Sequence, residues 1–546
     1  MQNTVPIAAP AGPVDPVVQG LARGWKVFGG AHPAAAAVLD CDVVIIGTGA
    51  GGGISAELLT AAGLRVVLIE EGPLKSSSDF RQIEAEAYPS LYQESAGRKT
   101  ADKAINILQG RCVGGSTTVN WTSSFRTPAS TLRFWRDHFV LPGMSDDAMA
   151  PWFAQAERRL NIGPWLVAPN ANNGLLKLGA ARLGIPAAAI MRNVKGCWNL
   201  GSCGMGCPTN AKQSMLVTTL PQALDAGATL LVQTRALRVV VQDGRAVGVD
   251  CQSVRLNGVP TDAVPTRVNA RHVVVAGGAI NTPALLMRSN MPDPHHRLGR
   301  RTFLHPVVAS TAVYAQAVEG WAGAPQTIYS DHFLDIAPID GPMGYKLEAP
   351  PLHPVIASTA LPGFGQEQAQ AMRDFPRTQA VLALMRDGFN EQSAGGVVTL
   401  RGDGSPLLDY PLNDYLWDAA RRALLSMAEI QFAAGAEHVT PLHQMARPYT
   451  SWPQARDAIK QLPMRAYVTR LLSAHVMGGC AMAGRPEQGV VRPDGLHWQV
   501  QGLSVHDGSL FPTSIGANPQ LSVYGVANML ATGLAKTLTG RQVNLA

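Results

Sequence analysis

The run Gly47-Thr48-Gly49-Ala50-Gly51-Gly52, directly behind the apolar stretch DVVII at 42–46, constrains this chain more than any other feature. An apolar run of strand length, clustered glycines, then helical spacing at Ile54, Leu58 and Leu59 predict a strand, a tight turn and a helix. Gly47 permits the turn and Gly49 lets backbone approach a pyrophosphate. Gly52 lets the helix pack closely on the strand, with the helix N-terminus facing the anion. A second strand over 65–69 ends at Glu70, 18 residues past Gly52, where a carboxylate reaches adenosine ribose hydroxyls and favours an unphosphorylated ribose. These elements predict a Rossmann-like dinucleotide unit and leave NAD and FAD as alternatives.

A chain of 546 residues, 46% hydrophobic and 15% charged, buries enough core for two domains. Its 55 glycines and 39 prolines are scattered without a period, which indicates many tight turns. The net charge of +6 comes from 45 basic and 39 acidic residues without long like-charge blocks, so it predicts solubility and no nucleic-acid partner. Seven irregularly spaced cysteines make no disulfide framework and fit reduced thiols in a cytoplasmic setting. The first 40 residues lack a signal-peptide pattern. The longest apolar stretch, 43–59, is interrupted by five glycines, so no transmembrane segment is expected. A short helix within 15–27, with Trp25 and Phe28 near its end, is expected to pack on the protein's own surface; peripheral membrane docking is the alternative.

The stretch GRCVGGSTTVN at 110–120 sets small residues before hydroxyls, which lets backbone lie against a planar ring and a phosphate. Here the chain resembles the glucose-methanol-choline family of FAD-dependent oxidoreductases, in which this loop lines the FAD. Gly114, Gly115, Ser116 and Asn120 match the pattern. Some members attach FAD through a histidine immediately before the asparagine; Val119 stands there, so the resemblance implies a non-covalent flavin. Residues 271–290 are similar to the family's second signature. Residues 229–240 resemble the strand that meets the adenine, with Leu237 at a position usually held by valine. The run GRRTFLHP at 299–306 has Leu304 where many members have aspartate, and resembles the long-chain alcohol oxidase branch.

Near the C-terminus, the segment SAHVMGGC at 473–480 resembles the family's catalytic histidine segment, and Asn518 follows His475 by 43 residues. The chemistry suits that pair. A neutral imidazole takes a hydroxyl proton, a fixed amide aims the alcohol oxygen, and hydride passes from the carbinol carbon to flavin N5. His497 and His506 lie outside the motif and are expected to be structural. Residues 502–512 read as a strand ending at Asp507-Gly508, where the family brings an acid to the ribityl and pyrophosphate. A helix over 519–530, opening at Pro519, is expected to face the flavin's pyrimidine oxygen with its N-terminus.

Cys197, Cys203 and Cys207 place three of seven cysteines within eleven residues. Three thiolates suffice for an iron–sulfur cluster, as in bacterial FAD glucose dehydrogenases that pass electrons to a cytochrome, but the stretch also resembles cluster-free long-chain alcohol oxidases. The metal reading stays open.

The implied architecture is α/β: a Rossmann-like FAD domain from 41–125, 225–310 and 470–546, behind an N-terminal extension at 1–40. An α+β substrate domain from 126–224 and 311–469 carries an antiparallel sheet with strands at 381–385 and 396–400. Met343 and Tyr345 are candidate lining. The implied function is oxidation of a small-molecule alcohol, apolar or long-chain, with oxygen, a quinone or a cytochrome as acceptor. Alternatives are a sugar or polyol dehydrogenase using the iron–sulfur route, a lyase or decarboxylase on the same scaffold, an NAD-dependent dehydrogenase and a non-catalytic binder.

Overall fold

The computed structural model describes residues 14–546. Its first sheet runs in the order Lys26–Phe28, Thr229–Leu231, Val66–Ile69, Val38–Ile46, Thr266–Val275, Arg245–Ser253 and Thr234–Gln242. The first five strands are parallel and the last two antiparallel. Thr266–Val275 forks: one end pairs with Arg245–Ser253 and the other, in parallel, with Leu503–Val505. Val43, Val44 and Ile45 are wholly buried, as expected for a parallel strand covered on both faces. The helices Ala50–Ala61 and Gln520–Thr539 pack against each other. The helix expected over 519–530 therefore starts one residue later and runs to Thr539.

A second sheet has the order Ile105–Ile107, Leu471–Ser473, Val307–Val313, Thr378–Met385, Tyr345–Glu348, Ile328–Ser330 and Ala188–Ala189, with His438–Pro441 also on Val307–Val313. The long helix Asp414–Ala433 packs on it, with Ala171–Arg182 and Trp452–Gln461 alongside. Gly396–Leu400 forms as a strand but outside this sheet. It joins a four-stranded one with Pro406–Asp409, Arg300–Phe303 and Met477–Gly478. Leu471–Ser473 and Met477–Gly478 thus belong to different sheets, and the three residues between them, with His475 in the middle, span the junction.

The N-terminal stretch is built into the fold. Helix Pro16–Ala22 is capped by Asp15 and packs against helix Thr219–Asp225, Trp25 donates to Asp225 Oδ1 at 2.7 Å, and Lys26–Phe28 edges the first sheet. Among the described residues no helix is long and apolar enough to cross a membrane.

Candidate active site

A cleft of about 620 Å³ opens where the glycine loops, the 474–476 junction and the N-terminus of helix Gln520–Thr539 meet. The helix Ala50–Ala61 begins at Gly49 without a side-chain cap, so its first N–H groups are free for an anion. The glycines divide into two kinds. A Cβ on Gly51 would lie 1.5 Å from the His506 carbonyl oxygen, and one on Gly52 would lie 2.0 Å from that of Gly47; both positions are closed by the fold itself. A Cβ on Gly49 would meet only Gly115 Cα, at 3.8 Å, so its open side belongs to the cleft. That cradle fits a dinucleotide pyrophosphate.

Thr48 joins the parts. Its hydroxyl donates to Glu70 Oε2 at 2.6 Å and accepts from Gly114 N at 3.0 Å. Glu70, buried and pushed up by that burial, also accepts from Gly72 N on Oε1 at 2.9 Å. Gly115, at φ +54°, abuts Gly49, and Ser116 Oγ accepts from Gly110 N at 2.9 Å. Asn120 Nδ2 donates to Gln520 Oε1 at 2.7 Å. Asp507 holds the Gly277-Gly278 turn by accepting from Gly278 N at 2.7 Å, and accepts from Thr282 Oγ1 at 2.6 Å. Gly47, Gly49, Glu70, Gly115, Ser116, Asn120, Leu237, Asp507, Pro519, His475 and Asn518 all line this one cleft, whereas Gly52 and Gly114 stand behind it.

At the other end of the cleft His475 is half-buried. Burial, with the Lys346 charge adding to it, pushes its pKa down to about 3, so the ring is neutral at ordinary pH. Its Nδ1 lies 3.3 Å from His305 Nδ1. Gly516 N donates to His305 Nε2 at 3.0 Å, and a backbone N–H only donates. A neutral His305 accepting there carries its hydrogen on Nδ1 and gives it to His475 Nδ1, which sets the His475 hydrogen on Nε2. Asn518 donates from Nδ2 to Glu348 Oε2 at 3.2 Å, while its buried Oδ1 has no partner among the described residues.

His305, Glu348 and Lys346 were not singled out from sequence. The first lies inside the Leu-His-Pro run; the other two alternate on the strand Tyr345–Glu348. Met343 and Tyr345, the candidate lining, are buried in the second core instead. Of the other histidines, His506 pairs with Ser55 at 2.9 Å and His497 Nδ1 accepts from Gln499 N at 3.1 Å, both away from the cleft.

Cys197, Cys203 and Cys207 are free thiols, each partly exposed. Burial acts to raise the Cys207 thiol, but hydrogen bonds from Thr209 and Lys212 outweigh it and lower the pKa. Buried Lys212 ties this loop to the 114–120 loop, donating to the carbonyl oxygens of Thr118 at 2.8 Å and of Asn120 and Cys203 at 2.6 Å. Among the described residues no three His, Cys, Asp or Glu side chains converge as a metal site.

Two family models described as GMC oxidoreductase match this chain, the N-terminal one over residues 88–307 and the C-terminal one over 392–527. An uncharacterized GMC-type oxidoreductase of Mycobacterium tuberculosis is 33% identical, covering 92% of this chain and 77% of its own. A long-chain-alcohol oxidase of Arabidopsis thaliana is 29% identical, covering 92% and 69%. Among solved structures, pyridoxine 4-oxidase from Mesorbium loti superposes with a TM-score of 0.66 at 18% identity, covering 90% of this chain and 98% of its own. That likeness concerns the fold.

Proposed function

This chain belongs to the GMC oxidoreductase family, and from that premise we propose that it binds FAD non-covalently in the cleft and oxidises an apolar or long-chain alcohol to the carbonyl compound. The observation that carries this reading is the arrival of His475 and Asn518 on the same cleft as both glycine loops. Bound there, FAD supplies the hydride acceptor. In this reading the free N–H groups at Gly49 and Ala50 hold the pyrophosphate and Glu70 the ribose. The loop at Gly114, Gly115, Ser116 and Asn120 supports the ring. Leu237 faces the adenine, Asp507 sets the turn beside the ribityl chain, and the helix behind Pro519 stabilises negative charge. Val119, buried behind the loop, offers no atom for a flavin bond.

We assign His475 to take the hydroxyl proton and Asn518 to seat the incoming alcohol. Accepting a proton requires a bare Nε2, so the hydrogen between the two histidines must sit on His475 Nδ1 and that on His305 on Nε2, against Gly516 N–H. Leaving that amide unpaired costs about 1–3 kcal/mol, on the order of 10- to 100-fold in population. An enzyme tolerates that penalty, so the tautomer that the His305–Gly516 contact favours does not bar His475 from the role.

Support for a long-chain substrate comes from the Arabidopsis relatives of that name. An iron–sulfur route from flavin to a cytochrome has one observation on its side: Arg192 and Lys212, both buried, make no ion pair among the described residues and stand beside the thiols of the cysteine loop. Iron and sulfide content of the purified protein decides that route. The main reading is tested by anaerobic mixing of the yellow holoenzyme with primary, secondary and cyclic alcohols, followed by oxygen. Bleaching by an apolar alcohol is expected; an absorbance unchanged by every alcohol overturns the reading.

A further inference from the structure

Strand Tyr345–Glu348 sends alternate side chains to opposite faces of the second sheet. Tyr345 and Leu347 enter the core, while Lys346 and Glu348, with 2% and 0% side-chain exposure, face the active-site side. An ion pair this deeply buried is weak evidence for stability, since desolvation offsets most of the attraction. Its surroundings suggest another role. Glu348 Oε2 accepts from Gln326 Nε2 at 2.8 Å and Asn518 Nδ2 at 3.2 Å, and both donors line the cleft. Oε1 makes no hydrogen bond among the described residues, and Lys346 Nζ stands 3.7 Å from it. The Lys346 ammonium lies over the Phe125 ring, 2.9 Å from its centroid, and 4.3 Å from that of Tyr329; the rings and the Glu348 carboxylate favour the charged amine against burial, which pushes its pKa down to about 7.

A carboxylate accepts and cannot donate. Charged Glu348 therefore admits one orientation of the Asn518 amide, with Nδ2 held back towards the carboxylate. Asn518 Oδ1 is left without a partner among the described residues, and a buried acceptor that lines a cleft without a donor is placed to receive one from a bound ligand. We propose that Glu348, kept charged by Lys346, is a positioning residue that fixes Asn518 as a hydrogen-bond acceptor, so that the site recognises the O–H of the bound alcohol. The proposal rests on the alcohol-oxidising reading above. The His305–Gly516 contact gives the complement: His475 Nε2–H donates to the same oxygen that gives its hydrogen to Asn518 Oδ1. One donor and one acceptor match a hydroxyl and mismatch an ether or a ketone. This is the binding arrangement; before the proton leaves, both histidines take the other tautomer, the hydroxyl hydrogen turns from Oδ1 to the bared His475 Nε2, and Asn518 gives up its bond to the alcohol.

The test separates binding from chemistry. tert-Amyl alcohol has an O–H but no carbinol hydrogen to lose, and its methyl ether accepts a hydrogen bond but donates none. Both are titrated into the oxidised holoenzyme and followed by perturbation of the flavin spectrum. The wild-type protein is expected to bind the alcohol at least tenfold more tightly than the ether, because the ether leaves Oδ1 unpaired. Glu348→Gln, whose amide can donate to Oδ1, is expected to shrink that preference below threefold while flavin content stays the same. Lys346→Met, which strands the carboxyl without its cation, is expected to do likewise, and the double variant to be no worse than either single one. Equal binding of alcohol and ether by the wild-type protein overturns the inference without any variant, as does an undiminished preference in folded Glu348→Gln. A primary alcohol that binds but never bleaches the flavin defeats the functional reading instead and leaves the binding result standing.

Discussion

The two halves of the cleft are built from different materials. On the glycine side, contact surfaces are largely main chain, and the supporting side chains are braced by one another and by backbone: Thr48 to Glu70 and Gly114, Glu70 to Gly72, Asp507 to Gly278 and Thr282. On the histidine side, side chains from separate strands and loops face each other, and Asn518 Oδ1 and Glu348 Oε1 lack hydrogen-bond partners among the described residues. A half with braced side chains, whose open donors are fixed main-chain N–H groups, suits a cofactor that stays. A half with open valences suits a substrate that comes and goes, because the missing partners arrive with it.

The sharpest way to break this contrast is inside the glycine loop. Gly51→Ala forces a Cβ to 1.5 Å from a carbonyl oxygen and is expected to abolish folding, with a loss above about 4 kcal/mol. Gly49→Ala keeps the fold but fills the cradle, and is expected to weaken FAD binding by about 10- to 100-fold, or about 1.4–2.8 kcal/mol. Thermal melts and flavin content distinguish the two; equal behaviour means that the loop is not divided into structural and ligand-facing glycines. On the histidine side the order reverses: His475→Ala is expected to retain FAD and fold but lose about 10²- to 10⁴-fold in flavin reduction. Retention of the wild-type reduction rate removes His475 from the chemistry.

A further prediction concerns four buried histidines, of which only His475 lines the cleft. Burial pushes His475 and His506 down to about 3 and His272 and His497 to about 4, from an ordinary 6.5. Below pH 6.5 the unfolded chain takes up protons that these rings refuse when folded, so stability falls as pH drops towards 4, by about 1.4 kcal/mol per pH unit for each ring. Denaturant titrations from pH 7 to pH 4 check the slope, and a flat profile contradicts neutral burial. Smallest of all, Cys203→Ser is expected to change flavin reduction less than about twofold, since its thiol makes no contact in the cleft. A large drop together with lost iron favours the cluster.

The glycine half was legible in the sequence because each position there answers to a main-chain requirement that only one residue type meets. Gly47, Gly49 and Gly115 line the cleft that the motif implied. The histidine half was legible only at His475 and Asn518, whose flanks carry a family pattern. Lys346 and Glu348 were missed for a physical reason. The run around them signals a strand, but which of two alternating sets faces the site is fixed by sheet register, and a one-residue difference exchanges Tyr345 for Lys346. The same dependence on pairing moved Gly396–Leu400 into a different sheet. His305 was visible as part of a run, yet its effect on the His475 tautomer needs Gly516, over two hundred residues away.

The central claim is that a carbinol hydrogen leaves as hydride to FAD in this cleft. The most direct measurement is the rate of anaerobic flavin bleaching by a long-chain primary alcohol against the same alcohol deuterated at the carbinol carbon. Several-fold slower bleaching with the deuterated alcohol, with the aldehyde as product, is the expected result. Failure of either alcohol to bleach the flavin contradicts the account.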